Sequence, residues 1–169
     1  MPDVIFRPVS CEDDISALTL LLHKAYARLG DMGLNYTAVD QTDDVTRARI
    51  ASGECYVAYV SGTLVGTVTY KPITRTKGST WLDRDDVAAL AQLAVDPEIQ
   101  GFGIGKNLIN LAEGRARQDG AREIALDTAE PAQHLRHWYL SLGYRFIEYA
   151  QWSGKTYRSV IMSKQLMAD

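Results

Sequence analysis

The chain has 169 residues, 46% of them hydrophobic and 23% charged, with a formal net charge of -3, which supports one domain and excludes disordered and fibrous classes. The acidic balance argues against a nucleic-acid partner. Cys11 and Cys55 form no CxxC pair, residues 1–15 lack a leader pattern, and no run approaches the ~20 apolar residues of a membrane span; the expectation is a cytoplasmic protein with no membrane partner and no structural zinc.

Val4–Val9 reads as an edge strand, because Pro8 cannot donate to a central ladder. Ser10 with Asp13 three residues later resembles a helix start. The stripe Ile15, Leu18, Leu21, Leu22, Ala25, Tyr26 and Leu29 then predicts a helix closed by Gly30. Residues 30–36 read as a flexible loop exposing Met32, Leu34 and Tyr36, and a shorter helix is expected over Asp43–Ala51. Tyr56–Val60 and Thr63–Tyr70, separated by Ser61-Gly62, carry the signature of a tight antiparallel hairpin. Arg75–Asp86 is a polar connection. Val87–Val95 has the composition of a buried strand, stopped by Asp96-Pro97.

After that strand comes Gln100-Gly101-Phe102-Gly103-Ile104-Gly105-Lys106, and then a helical face of Ile104, Leu108, Leu111 and Ala112 running to about Gln118. No Ser, Thr, Asp or Asn stands between Glu98 and Gly105 to cap this helix. Its first-turn amides are therefore free. Glycines 101, 103 and 105 permit positive φ and close backbone approach, so the turn suits a phosphate or pyrophosphate. Glu123–Thr128 reads as a strand, the stripe Leu135, Trp138, Tyr139 and Leu142 as a helix ending at Gly143, and Tyr144–Trp152 with Lys155–Ser163 as a hairpin turning at Ser153-Gly154. The order β-α-α-β-β-β-α-β-α-β-β, without repeats, predicts a mixed α/β architecture around one sheet.

Other anion-binding motifs fit less well. A P-loop wants more residues between its glycines and a Ser or Thr after the lysine, where Asn107 stands. A dinucleotide fingerprint wants glycine where Lys106 stands, although Glu123 lies at a suitable distance for a ribose. His134 and His137 lie one helical turn apart but have no third ligand, so no metal is expected.

Gln100, Gly103 and Gly105 after a strand, joined to Tyr139-Leu140-Ser141-Leu142-Gly143-Tyr144 after the next strand and helix, resemble the GNAT superfamily of acyl-CoA-dependent N-acetyltransferases. The resemblance implies one GNAT-like α/β domain over residues 1–169, built on a mostly antiparallel, splayed sheet. It implies acetyl-CoA as co-substrate, held by Leu93, Ala94 and Val95 along the strand and by Gln100, Gly101, Phe102, Gly103, Ile104, Gly105 and Lys106 at the turn. A strand bulge would free an amide near Val95 to polarise the acetyl carbonyl. Tyr139 matches the tyrosine that hydrogen-bonds the departing sulfur. Ala132 stands where many members carry Asn, and Val87–Val95 lacks the glutamate base of some members.

The general base is open among Asp86, Asp127, Glu130 and an ordered water. Gln92, polar in an apolar strand, orients substrate or water or is a satisfied core amide. Asp31, Asp40, Asp43, Asp44, Asp83, Asp85 and Asp86 fall in loops expected to flank the acceptor, with Tyr36 and Trp81 among them. Tyr36, Trp81, Asp86, Gln92 and Asp127 are the substrate-side candidates, and the acceptor expected is a small cationic amine. Acetylation of a protein or peptide is the alternative, as is a non-catalytic acyl-CoA-binding module. A homodimer is open to such a protein.

Overall fold

The computed structural model describes residues 3–167; Met1 and Pro2, where the stretch read for a leader begins, lie outside them. Seven strands form one sheet in the order β1-β2-β3-β4-β5-β7-β6. They are β1 (Val4–Pro8), β2 (Glu54–Val60), β3 (Thr63–Lys71), β4 (Val87–Val95), β5 (Glu123–Ala129), β6 (Arg145–Ala150) and β7 (Ser159–Gln165). Four helices accompany them, α1 (Ile15–Asp31), α2 (Asp43–Ala51), α3 (Ile104–Gln118) and α4 (Gln133–Ser141). The order agrees with that expected from the sequence. β1 is an edge strand, β4 and β5 run parallel, and the other neighbours are antiparallel.

The apolar stripe of α3 seats Ile104, Leu108 and Ile109 against Val68, Tyr70, Leu90, Ile124 and Met162 of the sheet. Burying those three side chains stabilises the fold by at most about 5–9 kcal/mol. α1 and α2 cover the opposite face of β2 to β4 through Leu18, Leu22, Ile50 and Val57. Helical periodicity thus becomes two layers on one sheet.

Two features open the sheet at its middle. β4 pairs with β5 only from Val87 to Ala89, so the two strands diverge beyond Ala89. β4 also carries one extra residue against β3: Thr69 faces Ala91 while Thr67 faces Ala94. The bulge centres on Gln92, whose φ of 53° is left-handed and costs a non-glycine residue about 1–2 kcal/mol. Its buried side chain is held in turn: Gln41 Nε2 donates to Gln92 Oε1 (3.0 Å) and Thr46 Oγ1 (2.8 Å), and Thr46 bonds Thr19 (2.7 Å). Gln92 is therefore a satisfied core amide that pins the bulge. Gln92→Leu should lower unfolding free energy by about 1–3 kcal/mol by stranding the buried Gln41 amide, read as a lower urea midpoint at unchanged m.

Three local expectations need correction. Ser10 and Asp13 do not start α1; Asp14 caps it by accepting from the Ser16 amide (2.9 Å). Asp13 is taken by a bidentate pair with Arg7 (2.8 Å each) and by the Tyr59 hydroxyl (2.6 Å), which hold its carboxyl well below the usual range. α1 runs past Gly30 to Asp31, and Gly33 takes the left-handed position instead. The loop after it is not loose: Leu34 is buried, and the Tyr36 hydroxyl bonds Thr128 (2.7 Å) and accepts from the Ala129 amide (2.8 Å).

The connection from β6 to β7 spans residues 151–158 rather than turning tightly at Ser153-Gly154. Asn35 draws it over, donating to the Gly154 carbonyl (2.8 Å) and accepting from the Thr156 amide (2.8 Å). These bonds beat a two-residue turn and bring Trp152, Lys155 and Tyr157 beside the diverging strands.

Candidate active site

The cleft begins at the turn into α3. Gly103 is the N-cap, at φ 83°, with no side-chain cap, and Gly101 stands at φ 90°. The first helical bond is from the Asn107 amide to the Gly103 carbonyl (3.0 Å). The amides of Ile104, Gly105 and Lys106 thus precede the helix's own ladder and point outward with its positive dipole end. Gly105 acts differently from the sequence expectation. It is helical, and a Cβ there would stand 3.2 Å from Trp138 of α4, so its role is close packing rather than positive φ.

From the turn, a cleft of about 530 Å³ runs between β4 and β5. It is lined by Leu93, Ala94, Val95, Gln100, Gly101, Gly103, Ile104, Gly105 and Lys106 on one side and by Asp127, Thr128, His134, Leu135, Trp138 and Tyr139 on the other, with Tyr26 and Tyr36 above. Nine of the ten turn and strand residues singled out from the sequence therefore meet here. Phe102 does not line it and is exposed. The Leu93 carbonyl accepts from the Tyr26 hydroxyl (2.8 Å), and the Val95 carbonyl from Gln100 Nε2 (3.2 Å). Because N–H and C=O of an extended residue point to one side, the Leu93 and Val95 amides also face the gap.

Tyr139 reaches the same cleft from α4 and is buried between Trp138 and Tyr144. Burial, then the nearby Tyr26, Tyr36 and Asp127, push its phenol well above its ordinary value. It therefore stays protonated and keeps an O–H to donate.

Asp127 occupies the far end. Its side chain is open to the water of the cleft, yet protein encloses it on its other sides. That enclosure raises its carboxyl above the ordinary carboxylate value, opposed by a bond from Trp152 Nε1 (2.9 Å) and by the charges of Arg49, Lys71 and Lys155. The other candidate bases are occupied. Asp86 pairs with Arg84 (2.7 Å) and Glu130 with Arg158 (2.7 Å), and each pairing lowers its carboxyl. Asp86 also precedes β4, at the end of the strand away from the glycine turn.

Trp81 is likewise absent from the cleft. It packs with Leu82, Ile147 and Trp152, and Arg84 stacks 4.1 Å over its ring. Gln92 is buried behind β4, as described, and of the five substrate-side candidates only Tyr36 and Asp127 line the cleft. Three acids of the flanking loops have other partners: Asp43 accepts from Ser16 (2.6 Å), Asp44 pairs with Arg47 (2.8 Å), and Asp83 accepts from the Gly78 amide (3.0 Å). What sequence reading missed is Tyr26, Trp152 and the three cations around Asp127. Tyr26 was visible as the hydroxyl at the end of an otherwise apolar helical stripe. The cations carried no local signal.

Among the described residues no group of three or more His, Cys, Asp or Glu could hold a metal, and no helix is long and apolar enough to cross a membrane.

Comparison with known proteins places the fold. Human N-acetyltransferase 8B is 30% identical over 133 residues, covering 78% of this chain and 55% of that protein, so the chain spans about half the length of the curated relative it matches. A GNAT family acetyltransferase from Elizabethkingia anophelis, solved with acetyl-CoA bound, superposes with a TM-score of 0.68 at 16% identity over 96% of this chain and 98% of its own. The ribosomal-protein-S18-alanine N-acetyltransferase of Escherichia coli gives a TM-score of 0.72 at 14% identity over 99% and 97%. Both share the fold. Residues 19–144 match the family model described as the acetyltransferase (GNAT) family, and the chain belongs to that family.

Proposed function

We propose that residues 1–169 act as a single domain that transfers an acetyl group from acetyl-CoA to a primary amine by direct attack in a ternary complex. The observation that carries this is the convergence on one cleft of an uncapped helix N-terminus, a strand edge with inward-facing amides, and a buried phenol. The Ile104–Lys106 amides suit the pyrophosphate, and the edge from Leu93 to Val95 suits the pantetheine arm. A Leu93 or Val95 amide facing the gap would polarise the acetyl carbonyl. The ammonium gives one proton to Asp127 and through it to solvent, and the neutral amine attacks the carbonyl carbon to form the C–N bond. The nitrogen of the tetrahedral adduct then gives its second proton to Asp127 as the C–S bond breaks, with the thiolate accepting a hydrogen bond from Tyr139.

Gly103→Ala tests the turn. An alanine at φ 83° costs about 1–2 kcal/mol, and relief of that strain rotates the first amides away from the ligand. Acetyl-CoA should bind about ten-fold more weakly by calorimetry, and an unchanged Kd would remove the turn from the binding site. The activity is tested by thiol release with polyamines, amino acids, aminoglycosides and short peptides. Acetyl-CoA binding without release from any amine would instead describe a binding module.

A further inference from the structure

The acceptor end of the cleft is not the acidic surface that a polyamine or aminoglycoside would seek. Register places Lys71, Ala89 and Ala125 in one row across β3, β4 and β5, with Asp127 two residues further on the same face. Both intervening alanines are small and buried. Arg49 of α2 and Lys155 of the connection between β6 and β7 are near enough to act on Asp127 by charge, as Lys71 does.

The three cations are only partly engaged. Arg49 gives one N–H to Gln41 Oε1 (2.9 Å), and Gln41 is the residue that also holds the Gln92 bulge. Lys155 donates to the Asn35 carbonyl (2.8 Å) and Thr37 Oγ1 (3.0 Å). The Lys71 side chain, half-buried, makes no hydrogen bond or ion pair among the described residues. Burial, and after it the charge of Arg49, depress the ammonium of both Lys71 and Lys155. Asp127 and Asp40, which also acts on Lys155, offset two of these three charges and leave a positive surplus. Partly buried charge without a partner is costly, and an arriving anion would relieve it.

We infer that the acceptor carries a carboxylate beside its reactive amine, as an α-amino acid does, with the amine at Asp127 and the carboxylate among Lys71, Arg49 and Lys155. The inference rests on the acetyltransferase reading and gives that site its substrate class. Arg49, held by the buried Gln41, is the preorganised element, and Lys71 the free one.

The test offers a panel of α-amino acids, each beside its own amide and its decarboxylated amine, at saturating acetyl-CoA with thiol release as readout. The best amino acid should exceed its amide and amine about ten-fold or more in kcat/KM, the value of one charge-assisted hydrogen bond. Lys71→Met should bring acid and amide within about three-fold of each other through a raised KM for the acid, while Lys71→Arg keeps the preference. Equal or better rates with amides, decarboxylated amines or polyamines would overturn the assignment. Calorimetry covers the case in which no amine turns over: amino acids must bind the CoA complex more tightly than their amides, and no difference overturns the substrate class while acetyl-CoA binding stands. Failure to bind acetyl-CoA would overturn the acetyltransferase reading itself.

Discussion

Asp127→Asn lowers kcat/KM for acetyl transfer by about 10²–10³ at neutral pH, the range expected for loss of a general base. An alkyl amine near pKa ~10 is neutral in only about one molecule in 10³ at pH 7, so deprotonation costs about 4 kcal/mol before attack can begin. As the proposed base, Asp127 would meet that cost in two ways. Its enclosed carboxylate, raised above the ordinary value, is a better proton acceptor than a solvated aspartate. The surrounding Arg49, Lys71 and Lys155 disfavour an additional positive charge and so lower the pKa of the bound ammonium. Asparagine keeps the shape and the Trp152 contact but accepts no proton.

The sign of the pH dependence follows. The active form is the carboxylate, so kcat/KM is full above its raised pKa and falls as pH drops through it. The acid limb should lie at higher pH than for a free aspartate and disappear in Asp127→Asn. Asp86→Asn and Glu130→Gln, at residues already paired with Arg84 and Arg158, should stay within about two-fold of the parent enzyme. Retention of nearly full rate by Asp127→Asn would make an ordered water the base.

The contrast between the two ends of the cleft shows which parts of such a site are legible in a sequence. The glycine turn was legible because its physics is local: a strand, missing caps and a helix start lie within 20 residues of one another, and their geometry follows from backbone preferences. Tyr139 was legible only through the spacing it shares with a family. The bulge was expected only through the family, near Val95, and nothing in the sequence tied it to Gln92. That Gln92 points backward into a buried amide chain, rather than forward into the cleft, depends on Gln41, some fifty residues away. The acceptor end was illegible for a related reason. Arg49, Lys71, Asp127 and Lys155 come from four separate segments, and charge alone does not say which way a side chain faces. Seven loop aspartates looked like a cation site. In the fold, Asp43, Asp44, Asp83 and Asp86 are engaged by Ser16, Arg47, the Gly78 amide and Arg84, and the charges that act on Asp127 are those of Arg49, Lys71 and Lys155.

Tyr139→Phe should lower turnover about ten-fold or more while leaving acetyl-CoA affinity within a few-fold, because its hydroxyl acts on the departing sulfur and little on the ground state. The ring can stay where it is: Phe fits the space between Trp138 and Tyr144, so folding and cleft shape are preserved. Magnitudes decide what the hydroxyl does. A phenol near ~10 protonating a thiolate near ~8.5 is already uphill by about 2 kcal/mol. Burial drives the Tyr139 phenol further up, which makes full transfer less favourable still. A raised pKa nevertheless keeps the proton in place and the phenol neutral beside Asp127, so the group serves as a fixed hydrogen-bond donor to developing charge. Donation without transfer predicts that the basic limb of the rate profile does not belong to Tyr139, and Tyr139→Phe should lower the whole profile without moving it. A shift of that limb would show that the phenol titrates during turnover; an unchanged kcat would remove Tyr139 from the reaction.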